Sequence, residues 1–175
     1  MSSALILAVR LAPADALRQP RYQTANICEE SSVTIWHQDK PKLSDVVPSD
    51  GTMIHHVGIE IVEIGEDFLT ARMPVDHRTV QPQGRLHGGA SCVLAETVGS
   101  IAANLAIDST EFLAVGLEIN ANHIRPVKSG FVYGTARPDA IGRTTQVWTI
   151  RITDDEDRLV CVSRLTMAVI PLARG

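Results

Sequence analysis

Between Gly88 and Ile107 the only charged side chain is Glu96, and just ahead of that stretch stand His87, Gly88 and Gly89. A lone carboxylate in an uncharged helix needs a reason. A capping carboxylate sits about three residues inside a helix start, and Glu96 lies two turns past the glycines. A helical ion pair needs a cation three or four residues away, and Cys92, Val93, Gly99 and Ser100 offer none. Ionisable groups in apolar surroundings are rare unless paired or used, so Glu96 is read as an interior carboxylate with a function, the alternative being a solvated or structurally paired one. The His-Gly-Gly entrance adds a second function. Backbone N–H groups at a helix start lack intrahelical partners and carry a partial positive charge, and glycines let a ligand approach them closely. Such an end polarises a carbonyl oxygen or holds an anion. By itself a Gly-Gly before a helix is a weak signal, since it also serves simply to turn the chain.

The element that must position these groups is the helix itself. Ala90, Val93, Leu94, Thr97, Val98, Ile101, Ala102 and Leu105 follow the spacing of one apolar helical face. The opposite face carries Cys92, Gly99, Ser100 and Ala103, small and uncharged where a surface helix would carry Lys, Glu and Gln. A helix of this kind expects protein on all sides.

Around it the pattern has period two. Residues 57–64 and 68–74 read as a hairpin closed at Gly65-Glu66-Asp67, with Val57, Ile59 and Ile61 alternating in the first strand and Leu69, Ala71 and Met73 on one side of the second. The polar run before it, residues 43–52 with Pro48 and Gly51, holds a short helix or turn. Residues 76–86 form a polar loop containing Gln81-Pro82-Gln83-Gly84. After the helix, Leu113, Val115, Leu117, Ile119, Ala121 and His123 alternate with Ala114, Gly116, Glu118, Asn120, Asn122 and Ile124, which places His123 on the apolar side. Residues 131–137, 144–153 and 159–170 complete the strands, the last two joined through an acidic turn at residues 154–157. Short connections favour an antiparallel sheet, and one uncharged helix must be wrapped by it. The expected architecture is therefore α+β: a hotdog fold, five to six antiparallel strands around one long central helix. Such a sheet leaves edges open, so self-association as a dimer or tetramer is expected.

Composition narrows the partners. The 175-residue chain is 45% hydrophobic and carries a net charge of −4, enough for one real core and contrary to nucleic acid as a main partner. Nothing approaches the length of a membrane span. The three cysteines, Cys28, Cys92 and Cys161, are odd in number and set among apolar residues, as reduced core thiols are; a cytoplasmic location follows. No spacing of the histidines matches a metal site, and His55-His56 are adjacent, so no metal is expected. Residues 1–34 differ from the rest, with an apolar run at residues 4–9 followed by Arg10, Arg18 and Arg21. The order of charge is wrong for a signal peptide, and this part is taken as a poorly ordered extension ahead of a domain at 35–175.

Four motifs together resemble a known family: Met73-Pro74-Val75-Asp76; Gln81-Pro82, Gly84 and Leu86-His87-Gly88-Gly89-Ala90-Ser91; Leu94-Ala95-Glu96 with Gly99-Ser100; and Gly116-Leu117-Glu118-Ile119-Asn120-Ala121-Asn122-His123. They resemble the hotdog acyl-CoA thioesterases, most nearly the PaaI-like branch that hydrolyses 1,4-dihydroxy-2-naphthoyl-CoA and 4-hydroxybenzoyl-CoA, and the likeness runs from about residue 35 to the C-terminus. The resemblance implies an acyl-CoA substrate with an aromatic acyl group, and on the naphthoyl side a place in menaquinone biosynthesis. It implies Glu96 as nucleophile or base, Gly88 as backbone donor to the carbonyl oxygen with His87 beside it, Gln81 as a loop side chain near the reacting centre, and Ser100 as a hydroxyl that positions water or the carboxylate. His123 would line the pocket across a subunit boundary, with Gly89 close to substrate; Thr97 is a further substrate-binding candidate at a position where relatives vary, so its role is open. No cofactor is implied, coenzyme A being part of the substrate.

Two other readings compete. A hotdog dehydratase or hydratase acting on 3-hydroxyacyl or enoyl thioesters would use a histidine with an acidic residue; here His87 precedes Glu96 by nine positions, without the longer loop of those enzymes. A non-catalytic acyl-CoA-binding domain would be expected to lack Glu96. Arg125, Arg143 and Arg164 are arginines suited to the phosphates of coenzyme A, but exposed arginine is too common to assign them.

Overall fold

One long helix and six strands hold most of the residues that the computed structural model describes, 34–46 and 50–172. The strands are β1 (Glu60–Ile64), β2 (Leu69–Pro74), β3 (Phe112–His123), β4 (Phe131–Ile141), β5 (Thr145–Asp154) and β6 (Leu159–Pro171). Every pairing is antiparallel and the order across the sheet is β1-β2-β4-β5-β6-β3. The sheet curls over α2 (Gly88–Leu105), which packs on β2 to β6. This is the expected hotdog fold. The expected N-terminal extension lies, apart from Thr34, outside the described residues.

The sheet closes on α2 along small side chains. The helix buries Ser91, Leu94, Ala95, Val98, Gly99, Ala102 and Ala103, so the fully covered side includes Gly99 and Ala103 from the face opposite the expected apolar one. Val93, Thr97 and Ile101 are only partly covered. The reason is steric. A Cβ on Gly99 would stand 2.6 Å from Leu165 Cδ2, so the sheet approaches where the helix is thinnest. Leu69, Ala71 and Met73 point inward from β2 as their alternation requires.

Two expectations about strands are corrected. The strand expected over residues 57–64 starts later, because Val57 is the last residue of a helical turn, α1 (Met53–Val57), capped by Thr52 and ended by Gly58 in the left-handed region at φ 74°; β1 therefore starts at Glu60. The single alternation expected through β3 is also broken. Gly116 and Glu118 pair with the consecutive residues Met167 and Thr166 of β6, leaving Leu117 as a bulge. An extra residue flips the faces. Before it Ala114 and Gly116 face the helix, and after it Ile119, Ala121 and His123 do, while Leu113 and Leu117 stand exposed at 42% and 63%.

A strap precedes the sheet. Trp36 is buried and its indole Nε1 donates to Gly65 O at 2.9 Å, and His37 N donates to Leu105 O at 3.0 Å. The strap thus joins the first hairpin turn to the C-terminal end of α2. Among the described residues no helix is long and apolar enough to cross a membrane.

Candidate active site

The loop before α2 is built to deliver its first residues in one conformation. Asp76 accepts hydrogen bonds from the Arg78 guanidinium, at 2.7 Å to Nη2, and from the Arg78 backbone N–H at 2.9 Å. These bonds hold the Asp76 carboxyl well below its usual range, at about 2. Thr79 Oγ1 donates to Pro74 O at 2.7 Å, and Thr79 O in turn accepts from His87 N at 2.8 Å. His87 is thereby fixed as the N-cap. Its Nδ1 accepts from Gly89 N at 2.8 Å, so in the neutral ring the proton sits on Nε2.

That cap uses one of the donors expected at the helix entrance. The N–H groups of Ala90 and Ser91 go to His87 O. Among the described residues the Gly88 N–H makes no hydrogen bond, which leaves it as the donor at the positive end of α2. Gly88 has no room for a side chain, because a Cβ there would stand 2.8 Å from His123 Nε2. Gly88, Gln81 and His123 meet in a cleft of about 370 Å³ together with Ser91, Arg85 and Arg125. Gln81 Oε1 is taken by the backbone N–H of Gln83, so its amide N–H groups are what it offers to a ligand.

Glu96 lies elsewhere on the same helix. Its Oε1 rests 2.9 Å from where a Cβ of Gly116 would be, over the free-edge strand β3, and it does not line the cleft at Gly88. In the single chain Glu96 is exposed, which corrects the expectation of an interior carboxylate. On this side of α2 Gly99 and Ala103 are covered by the sheet, Cys92 and Ser100 only partly, and Glu96 is left open beside β3. Ser100, expected beside the carboxylate, turns its Oγ toward Met167 Sδ at 3.9 Å, while Thr97 is partly covered one position from Glu96. Cys92 is only partly buried rather than a core thiol; Cys161 is buried, and burial pushes its thiol up. Cys28 lies outside the described residues.

Arg85 was missed in the sequence, Ser91 and Gly116 stood in the motifs without a role, and Asn104 carried no signal that would have singled it out. Arg125, set aside above, does line the cleft; Arg143 is exposed in the β4–β5 turn, and Arg164 lies 4.0 Å from Asp139 on the outer side of the sheet. No three His, Cys, Asp or Glu side chains among the described residues could share a metal ion.

The chain matches the family model described as thioesterase superfamily over residues 83–161, the part that contains α2 and β3 to β5. It is 50% identical over 121 residues to the 1,4-dihydroxy-2-naphthoyl-CoA hydrolase of Escherichia coli, covering 69% of this chain and 88% of that one. The chain belongs to the thioesterase superfamily. Another relative of this thioesterase is the proofreading thioesterase EntH of Cronobacter turicensis, 49% identical with 70% of this chain and 88% of that one covered. Among solved structures, a mutant thioesterase of Pseudomonas aeruginosa superposes with a TM-score of 0.77 at 46% identity, over 79% of this chain and all of that one. The hydrolase activity and the hotdog fold follow from this membership.

Proposed function

We propose that this thioesterase hydrolyses an acyl-CoA thioester with an aromatic acyl group, of the 1,4-dihydroxy-2-naphthoyl or hydroxybenzoyl kind, to the free acid and coenzyme A. The observation that carries the reading is the free Gly88 N–H, at a positive helix end in a cleft shared with Gln81 and His123. The relative that hydrolyses 1,4-dihydroxy-2-naphthoyl-CoA, half identical to this chain, supports the choice of acyl group. In this reading the carbonyl oxygen accepts from Gly88 N–H and the Gln81 amide, which stabilise the charge that develops as the carbon becomes tetrahedral. Glu96 either takes the proton from a water whose oxygen attacks that carbon or attacks it directly and is later released by water. In both cases the C–S bond breaks and the departing sulfur gains a proton. Ser100 and Thr97, one turn and one residue from Glu96, hold the attacking water or the acyl group. Gly89 and His87 fix the donor, and Arg85 and Arg125 at the cleft meet the phosphates of coenzyme A.

One chain is not enough for this chemistry. Gly88 and Glu96 are eight residues apart on one helix, about 12 Å along its axis, whereas both must come within about 3 Å of the same carbonyl group. A carbonyl held at Gly88 therefore needs the Glu96 of another copy, and the site is completed at the interface of a dimer, alone or within a tetramer.

The test is release of free thiol from naphthoyl-, hydroxybenzoyl-, phenylacetyl- and straight-chain acyl-CoA esters by the full chain and by Glu96→Gln. Turnover of the aromatic esters should fall by at least about a hundredfold in the variant, the usual weight of a general base. Undiminished turnover would remove Glu96 from the reaction. Loss of enoyl absorbance from crotonyl-CoA would point instead to a hydratase.

A further inference from the structure

The side chain of Asn104 sits where a seventh strand would begin. Its Nδ2 donates to Ala114 O at 3.1 Å and its Oδ1 accepts from Ala114 N at 3.0 Å, while Nδ2 also donates to Ser100 O at 2.9 Å. The amide thus mimics a neighbouring strand at one residue of β3, the edge of the sheet, and ties that residue to the last turns of α2. Since Ala114 gives both its backbone groups to Asn104, they point away from β6. Alternation along an antiparallel strand then sends the groups of Gly116 to the same open edge. Past the bulge the parity changes, and the edge-facing groups are those of Ile119, Ala121 and His123. Ile124 N donating to Val160 O at 2.8 Å fits this parity.

We propose that Asn104 is a register stop: it closes the β3 edge at Ala114, so that a second copy of this chain can pair only with residues 116–123, and this fixes which residues of the two copies meet. The proposal rests on the reading above that the site is completed by a second copy. The occupant is another β3, running antiparallel about a two-fold axis. Counting the bulge as one extra residue, a two-fold at Ile119 would need Ala114 to pair with His123 of the partner subunit, and Asn104 occupies that place. Moving the axis to Asn120 gives the longest remaining overlap. Ile119 then pairs with the partner's Ala121, and Gly116 with the partner's His123.

The consequence is electrostatic as well as steric. Glu96 lies over Gly116, and His123 abuts Gly88 within each chain. Pairing Gly116 with the partner's His123 therefore sets the carboxylate of one chain against the positive helix end of the other. A shift of one step displaces the two strands by two residues, about 7 Å, and separates them. Asn104 touches no substrate in this scheme; it is a positioning residue.

The test uses the full chain with Asn120→Cys. With the two-fold at residue 120 the two Cα atoms stand about 4.5–5.5 Å apart, within disulfide range, and mild oxidation should give a covalent dimer whose 120–120 bond is identified by peptide mass spectrometry. Adding Asn104→Ala opens the edge at Ala114. A one-step shift puts the same Cα atoms about 8 Å apart, so the 120–120 bond should be lost, while the noncovalent dimer persists and kcat falls with KM little changed. Asn104→Ser, whose hydroxyl can still donate to Ser100 O but is too short to hold both backbone groups of Ala114, gives the same comparison if the alanine variant does not fold. A thioesterase that dimerises and forms the 120–120 bond equally with and without Asn104 overturns the register stop alone. A dimer that never forms the bond overturns the register. A monomer that still hydrolyses thioester overturns the shared site as well.

Discussion

Adding one methyl group to Gly116 should slow the enzyme without weakening the fold. The Cβ of an alanine there would stand 2.9 Å from Glu96 Oε1, where ordinary contact begins at 3.4 Å. The carboxylate must retreat by about half an ångström. That is cheap in stability, because the atom that moves is the far end of a flexible side chain, and Gly116 does not adopt a positive φ. Replacing glycine by alanine where the backbone tolerates it gains about 0.4–1 kcal/mol by restricting the unfolded chain. Catalysis has no such tolerance. A misplacement of about 1 Å can cost about a hundredfold in rate, so half that distance should cost roughly tenfold. Thermal melting and steady-state hydrolysis of an aromatic acyl-CoA, measured on the same Gly116→Ala preparation, give both halves of the expectation: Tm unchanged or slightly raised, kcat down about tenfold. Wild-type kcat in a folded variant would refute the placement of the carboxylate over Gly116 as the working one.

Three further outcomes follow from the packing and the loop. Gly99→Ala drives a Cβ to 2.6 Å from Leu165, itself fully buried, and the overpacking outweighs the gain in helix propensity by about 1–2 kcal/mol; the urea midpoint should fall. Trp36→Phe removes the donor to Gly65 O and leaves that carbonyl buried without it, a loss of about 1–3 kcal/mol that denaturant titration would register. The Asp76 carboxyl, held at about 2 by Arg78, is depressed in the folded state, so its contribution is complete above about pH 4 and disappears as pH falls toward 2. Tm measured between pH 5 and pH 2 should therefore drop less steeply in Asp76→Asn than in the parent chain.

The fold was legible because the two periods in the sequence are clean. The stretch after His87, with Glu96 as its one charge, has no strand reading of that length, and Leu69, Ala71 and Met73 alternate without interruption. What misled were places where the local pattern is ambiguous. Val57, Ile59 and Ile61 alternate as a strand would, yet Thr52 caps a helical turn and Gly58 ends it, and neither residue announces which pattern wins. The bulge at Leu117 is invisible for a similar reason: Leu113, Val115, Leu117 and Ile119 continue one alternation in the sequence while the backbone has already changed faces. Glu96 was singled out for its isolation, and the interior surroundings expected for it are not those of the single chain. Small uncharged neighbours say that a face will be covered, and they do not say by which chain.

The two edges of the sheet differ in the way this reading requires. β1 has five residues, two of them glutamates, a register shift between Ile61 and Glu63, and an ion pair from Glu60 to Arg72 at 2.7 Å. Short length, charge and irregularity are what keep an edge from recruiting another strand. β3 has twelve residues with a single charged side chain short of His123, and Leu117 stands 63% exposed on it. An edge of that kind left open would invite uncontrolled pairing, and a molecule with two such edges would propagate into a fibre. With only one, pairing about a two-fold axis closes on itself and leaves no sticky edge behind. The position of the carboxylate beside β3 and not beside β1 agrees with the proposed shared site: at an edge that pairs with a second copy, an acid exposed on one chain would become enclosed between two.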